Sequence, residues 1–79
     1  MSVITLFGRP GCHLCDEARE ALERVRTQAP FTLEEVDIER DDDLLRRYLE
    51  RIPVVSLNGE ELFDFHVDEE ALRTRLALW

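Results

Sequence analysis

The sequence contains no lysine, and its ten arginines face eighteen aspartates and glutamates, leaving a formal net charge of −8. Nucleic acid and anionic membrane surfaces are polyanions, so neither is an expected partner. The all-arginine usage itself is assigned no function. Long hydrophobic runs are absent as well, since none approaches the ~18 residues of a membrane span. The opening Met1-Ser2-Val3-Ile4-Thr5-Leu6-Phe7 lacks the basic flank and cleavage site of a signal peptide, and the expected location is the cytoplasm. There is no internal repeat, low-complexity tract or linker. Cysteine is scarce: two residues do not make the disulfide framework of a small secreted fold. Closing so short a loop also constrains the unfolded chain weakly. Two cysteines and two histidines in total give few ligands for a four-coordinate zinc. His13, wedged between the cysteines, is poorly placed to join them on one ion, so no metal site is expected.

What is present suffices for one small domain spanning residues 1–79. A hydrophobic fraction of 44% allows a compact core, and 35% charged residues keep the chain soluble. The apolar residues come in periodic clusters, which argues against disorder. Seven of the ten residues from Glu34 to Asp43 are acidic. They read as a solvated edge, with a surface that selects basic partners as the sharper alternative.

Val3 to Phe7 is an unbroken apolar run suited to a strand buried on both faces. Gly8-Arg9-Pro10-Gly11 is a turn by composition. From His13 to Ala29, Leu14, Ala18, Ala21, Leu22, Val25 and Ala29 fall at helical spacing, and Pro30 ends the helix. Phe31 to Ile38 reads as an edge strand, with Glu34 and Glu35 discouraging further pairing. Asp41 to Glu50 reads as a short helix with Leu44, Leu45, Tyr48 and Leu49 inward. Val54 to Leu57 is a third strand. Asn58-Gly59 is the strongest hairpin signal, returning Glu60 to His66 as a fourth strand with Phe63 and Phe65 on one face. Asp68 caps a last helix, Val67 and Leu72 have staple spacing, and Ala71, Leu72, Leu76 and Trp79 are expected to face the sheet. The order β-α-β-α-β-β-α predicts an α/β fold, a four-stranded mixed sheet flanked by helices.

Cys12 falls where the first strand ends and the first helix begins. Unpaired backbone N–H groups and the helix dipole there favour a thiolate. Arg9 and His13 add positive charge, and Asp16 and Glu17 oppose it. Cys15 lies one helical turn on, on the inner face with Ala18 and Leu22. The pair therefore reads as a thiol–disulfide redox centre, in which Cys12 attacks a substrate disulfide and Cys15 resolves the mixed disulfide.

Arg9-Pro10-Gly11-Cys12-His13-Leu14-Cys15 with Asp16-Glu17-Ala18, and Arg51-Ile52-Pro53-Val54, resemble the small bacterial glutaredoxin-like proteins of the thioredoxin superfamily. The resemblance covers the whole chain. It implies a thioredoxin-like fold, Cys12 and Cys15 as catalytic residues, and a cis Pro53 packed beside the pair. Arg9, Pro10, Gly11 and His13 become substrate contacts, and the Ile52 backbone pairs with an extended substrate like an added strand. Arg9 matches the place of a glutaredoxin lysine that helps to bind a glutathione carboxylate. One departure stands out. Where glutaredoxins carry a glycine pair against glutathione, this chain has Phe65-His66-Val67-Asp68, whose side chains obstruct that approach.

The expected function is thus a monomeric dithiol oxidoreductase reducing protein or low-molecular-weight disulfides. It has no tightly bound cofactor, and glutathione or a thioredoxin system serves as reductant. The alternatives are a non-catalytic thioredoxin-fold binding module and a carrier of an inter-chain iron–sulfur cluster.

Overall fold

A computed structural model describes residues 2–77. Strand β1 (Val3–Gly8) lies inside a four-stranded sheet of order β2-β1-β3-β4, with β2 (Thr32–Asp37), β3 (Val54–Leu57) and β4 (Glu60–Asp64). β1 pairs parallel with β2 and antiparallel with β3, and β4 runs antiparallel to β3. The helices are α1 (His13–Arg26), α2 (Asp42–Tyr48) and α3 (Glu69–Ala77), with a short 3-10 turn at Ile38–Arg40 before α2.

The apolar pattern along the chain sorts onto two faces. Ile4, Leu6, Val55 and Leu57 meet Ala18, Leu22, Val25 and Leu72 from α1 and α3 in the larger core. Leu22 is wholly buried there, a placement worth about 1.5–3 kcal/mol for a side chain of its kind. On the other face Ile38, Tyr48 and Val54 form a smaller cluster, joined by Phe7, Leu44, Leu45 and Ile52. The Phe7 and Tyr48 rings stand 4.7 Å apart. Because short α2 covers only part of this second face, β1 alternates between buried and half-buried residues. It is not fully enclosed, as its unbroken apolar run suggests.

The β3–β4 turn follows the sequence closely. Asn58 (φ 50°) and Gly59 (φ 89°) both adopt the positive φ that such a two-residue turn demands. Asn58 also ties the hairpin to the start of β1, its amide donating to Val3 O at 2.8 Å and its Oδ1 accepting from Val3 N at 2.9 Å. Asp68 Oδ1 accepts the Ala71 N–H at 3.0 Å and so caps α3. Val67 is half-buried against the larger core, of which Leu72 is a part.

Four expectations fail for identifiable reasons. The pairing shifts between Val55↔Phe63 and Ser56↔Glu61, so Leu62 is an extra residue in β4 and strict alternation is lost. β4 then ends at Asp64, and Phe65 does not share a face with Phe63: it turns out at φ 70° and is 51% exposed. Leu14 belongs to the helical stripe by spacing, yet it sits in the first turn of α1 and is 48% exposed. Leu49 falls just past the end of α2 and is exposed, whereas Ala71, also exposed, borders a hollow with Leu62 and Phe63 of β4. Trp79 lies outside the described residues.

Candidate active site

Helix α1 begins at the cysteine pair. Cys12 is its N-cap, in extended conformation (φ −89°, ψ 110°), and its Sγ accepts the Cys15 N–H at 3.1 Å. The sulfur thus occupies the position that a serine or aspartate oxygen usually fills, where it satisfies one unpaired helix donor. Arg24 and Arg26 in the last turn complement the opposite end of the dipole. Cys12 is half-buried and Cys15 is 2% exposed. The two sulfurs are joined as a disulfide, with a Cα–Cα distance of 5.2 Å.

Gly8 forms the floor under this pair. It is the last residue of β1 and not part of the following turn. A Cβ placed on Gly8 would stand 2.8 Å from Cys15 Sγ and 3.3 Å from Cys15 Cβ. Only a residue without a side chain lets the strand pass so close to the buried sulfur. The Ile52–Pro53 peptide bond is cis. Phe7 pairs with Val54 in the β1–β3 register, so the next step along both strands sets buried Pro53 opposite Gly8, at the cysteine end of the sheet. The Ile52 amide donates to Tyr48 O at 3.0 Å.

The polar residues singled out by sequence are distributed around this end. Arg9 is about half exposed and faces Glu39 at 3.8 Å. Pro10 and Gly11 line a 260 Å³ hollow with Gly8, Cys15, Asp16 and Arg19. Glu35 and Asp37 close its far side. Arg19 is engaged by two carboxylates, donating to Glu35 at 2.5 Å and to Asp16 at 2.8 Å. These bonds hold its pKa above the ordinary guanidinium value. The His13 side chain is 87% exposed, with Nε2 3.3 Å from Glu17 Oε2. Among the described residues, no three His, Cys, Asp or Glu side chains are grouped as a metal site, and no helix is long and apolar enough to cross a membrane.

Behind Pro53, Arg51 fastens the loop to β4. It donates to Glu61 at 2.5 Å and to Asp64 at 3.3 Å, and Glu61 also accepts the Tyr48 hydroxyl at 3.1 Å. The Arg51 hydrogen bond is the main cause of a Glu61 pKa below the ordinary carboxylate value of 4.5. Because the folded value is the lower one, the pair contributes stability above pH 4.5 that is lost as pH falls below it. Arg51→Met is therefore expected to lower the urea midpoint more near neutral pH than at about pH 3. Equal losses at both pH values would dismiss the ion-pair account.

The family model described as Glutaredoxin-like domain (DUF836) matches residues 3–77. The chain belongs to this family. A Glutaredoxin-like protein of Dictyostelium discoideum is 32% identical over 77 residues, covering 87% of this chain and 69% of the relative. A structural-genomics target protein from X. campestris superposes with a TM-score of 0.79 at 38% identity, covering 96% of this chain and 97% of the other. A thioredoxin from Halobacterium salinarum gives a TM-score of 0.69 at 22% identity over 99% of this chain and 74% of its own, a likeness of fold alone.

Within this glutaredoxin-like frame, Phe65, noted in the sequence only as an obstruction to glutathione, and Leu14, read there as core, stand open beside the cysteines. Phe65 is held by its amide, which donates to Pro53 O at 2.9 Å and to Arg51 O at 3.3 Å. It occupies the stretch where the resemblance places a glycine pair. Leu14 approaches from α1, and the two line a second hollow of 200 Å³ with Ala18, Ala21 and Val67.

Proposed function

We propose that this glutaredoxin-like chain is a cytoplasmic thiol–disulfide oxidoreductase, with Cys12 as nucleophile and Cys15 as resolving thiol. The observation that carries this reading is the Cys12 sulfur at the N-cap of α1, accepting the Cys15 N–H while Cys15 lies buried behind it. In the dithiol form a thiolate on Cys12 meets the same N–H donor and the positive end of the dipole. It attacks one sulfur of a substrate disulfide, forming the mixed disulfide, and the other substrate sulfur leaves as a thiolate. Cys15 gives up its proton and attacks the Cys12 sulfur, releasing the second substrate thiolate and closing the Cys12–Cys15 bond. Two electrons pass from the pair to the substrate. An external thiol or dithiol reductant, glutathione or a thioredoxin system, then restores the starting form.

Support also comes from what surrounds the pair. Pro53 continues past Val54 out of the β1–β3 register on the side of Gly8, and in this reading the Ile52 carbonyl would accept from an extended substrate. Redox titration in glutathione and dithiothreitol buffers, followed by alkylation and mass spectrometry, tests the reading. One two-electron transition of Cys12 and Cys15 is expected, together with transfer to a model disulfide. A pair that stays locked in one state across the whole buffer range, or cycles without passing electrons to any disulfide, refutes it.

A further inference from the structure

We infer that the substrate is a disulfide within an extended polypeptide, recognised by an apolar side chain beside its cysteine, and that Phe65 and Leu14 select it over glutathione disulfide. This rests on the oxidoreductase reading above and names the substrate of that same site.

Three observations converge. The first is an exposed apolar pair that flanks the cysteines. Leu14 lies between Cys12 and Cys15 in the chain, and Phe65 is bonded through its amide to Pro53, so both stand at the dithiol end of the sheet. At 48% and 51% exposure they are two of the three large hydrophobic side chains left open among the described residues. The hollow they line is completed by apolar Ala18, Ala21 and Val67 and by polar Glu17, Arg24, His66 and Glu69, and it measures 200 Å³. That is below the ~300 Å³ at which small-molecule sites begin, and it fits one large side chain.

The second observation is that Phe65 is held in place at some conformational cost. Its φ of 70° is a region that residues with a Cβ seldom adopt. The two carbonyls of Pro53 and Arg51 clamp its amide there. A glycine would occupy this backbone without that cost, and it would leave the main chain bare. With phenylalanine here, a half-exposed ring stands at this bend and lines the hollow instead.

The third observation is charge. Arg9 faces Glu39, and Arg19 is shared by Glu35 and Asp16. On the other side Arg24 is bound to Glu69 at 2.8 Å, and Glu17 stands on the rim with exposed His13. The carboxylates of glutathione would have to displace a protein carboxylate from any of these three arginines. A polypeptide with a neutral or basic stretch around its cysteine meets no such competition. An extended segment along the Ile52 carbonyl would carry the side chain next to its cysteine toward the hollow, because neighbouring side chains project to opposite faces of a strand.

The test uses the full chain reduced with dithiothreitol and freed of it, with single-turnover oxidation followed by acid quench and mass spectrometry. The substrates are glutathione disulfide and two disulfide-bonded peptides that differ only in leucine or serine beside the cysteine. The leucine peptide is expected to react at least about tenfold faster than the serine peptide, the scale on which apolar pockets discriminate, and faster than glutathione disulfide. In Phe65→Gly, a change compatible with the local φ, the peptide preference is expected to collapse and glutathione disulfide to gain relative to the leucine peptide. Leu14→Ser should weaken the same preference without requiring any backbone change. Equal rates on both peptides in the parent chain, or an unchanged ratio in Phe65→Gly and Leu14→Ser, overturns the selection while leaving the redox reading intact. Failure of the parent chain to reduce any of the three substrates overturns both.

Discussion

Cys12→Ser is expected to lower disulfide-exchange turnover by roughly a thousandfold or more, the scale of removing a covalent nucleophile. A serine hydroxyl can still accept the Cys15 N–H and cap α1, so the fold should persist while the attacking sulfur is gone. Cys15→Ser should behave differently. The half-buried sulfur of Cys12 can still attack, but nothing inside the chain then displaces the substrate. The expected product is a stable mixed disulfide on Cys12, seen as a mass increase of one substrate half. Turnover measured with a peptide disulfide, and intact mass after quenching, separates the two variants. Identical behaviour of the two would contradict the unequal roles that their burial implies.

Gly8→Ala is expected to destabilise the protein by about 1–3 kcal/mol, the usual cost of forcing atoms into a filled interior. The added Cβ would lie 2.8 Å from Cys15 Sγ. This sulfur is not the free end of a flexible side chain, since it is bonded to Cys12 and almost wholly buried on α1. Strand and helix would have to separate by some tenths of an ångström at the point where they carry the redox pair. In the dithiol form the Cys15 sulfur is released from its bond and can turn aside, so the loss should be larger in the oxidised protein than in the reduced one. Urea unfolding in both redox states provides the measurement. Placing Gly8→Ala in a Cys15→Ala background should remove most of the loss, because the atom it collides with is gone. A loss of the same size in that background would mean that Gly8 matters for another reason.

Much of this arrangement is legible from local sequence because its causes are local. The Asn58-Gly59 turn and the Asp68 cap need only a few neighbouring atoms, and both stand where their residue types require. The cysteine pair at a strand-to-helix junction is equally local. Phe65 is different. Its spacing from Phe63 suggests a shared face, and a distant contact undoes that: the carbonyls of Pro53 and Arg51 capture its amide, and its backbone turns to positive φ just past the end of β4. Leu14 fits the periodicity of α1 and still lies in the open, because periodicity gives a direction around the helix and says nothing of where the sheet ends. Gly8 reads as turn by composition, and its role appears only when α1 folds back to set Cys15 against it. Arg51 belongs to the motif around Pro53, yet its ion pairs are not legible there, since its partners Glu61 and Asp64 arrive from the next strand.

The pairing of the arginines has a consequence for encounter rates. Arg9, Arg19, Arg24, Arg26, Arg40, Arg46, Arg47, Arg51 and Arg75 each lie within ion-pair distance of a carboxylate. The net charge of −8 is therefore a surplus spread over a surface whose cations are largely neutralised in place. Seen from a distance, the molecule carries a net negative charge. A cationic partner is drawn toward it before any contact forms, and an anionic one is turned away. Added salt shortens the reach of this field to about 8 Å at physiological ionic strength, so diffusion toward the protein, more than grip upon it, becomes the quantity that salt controls.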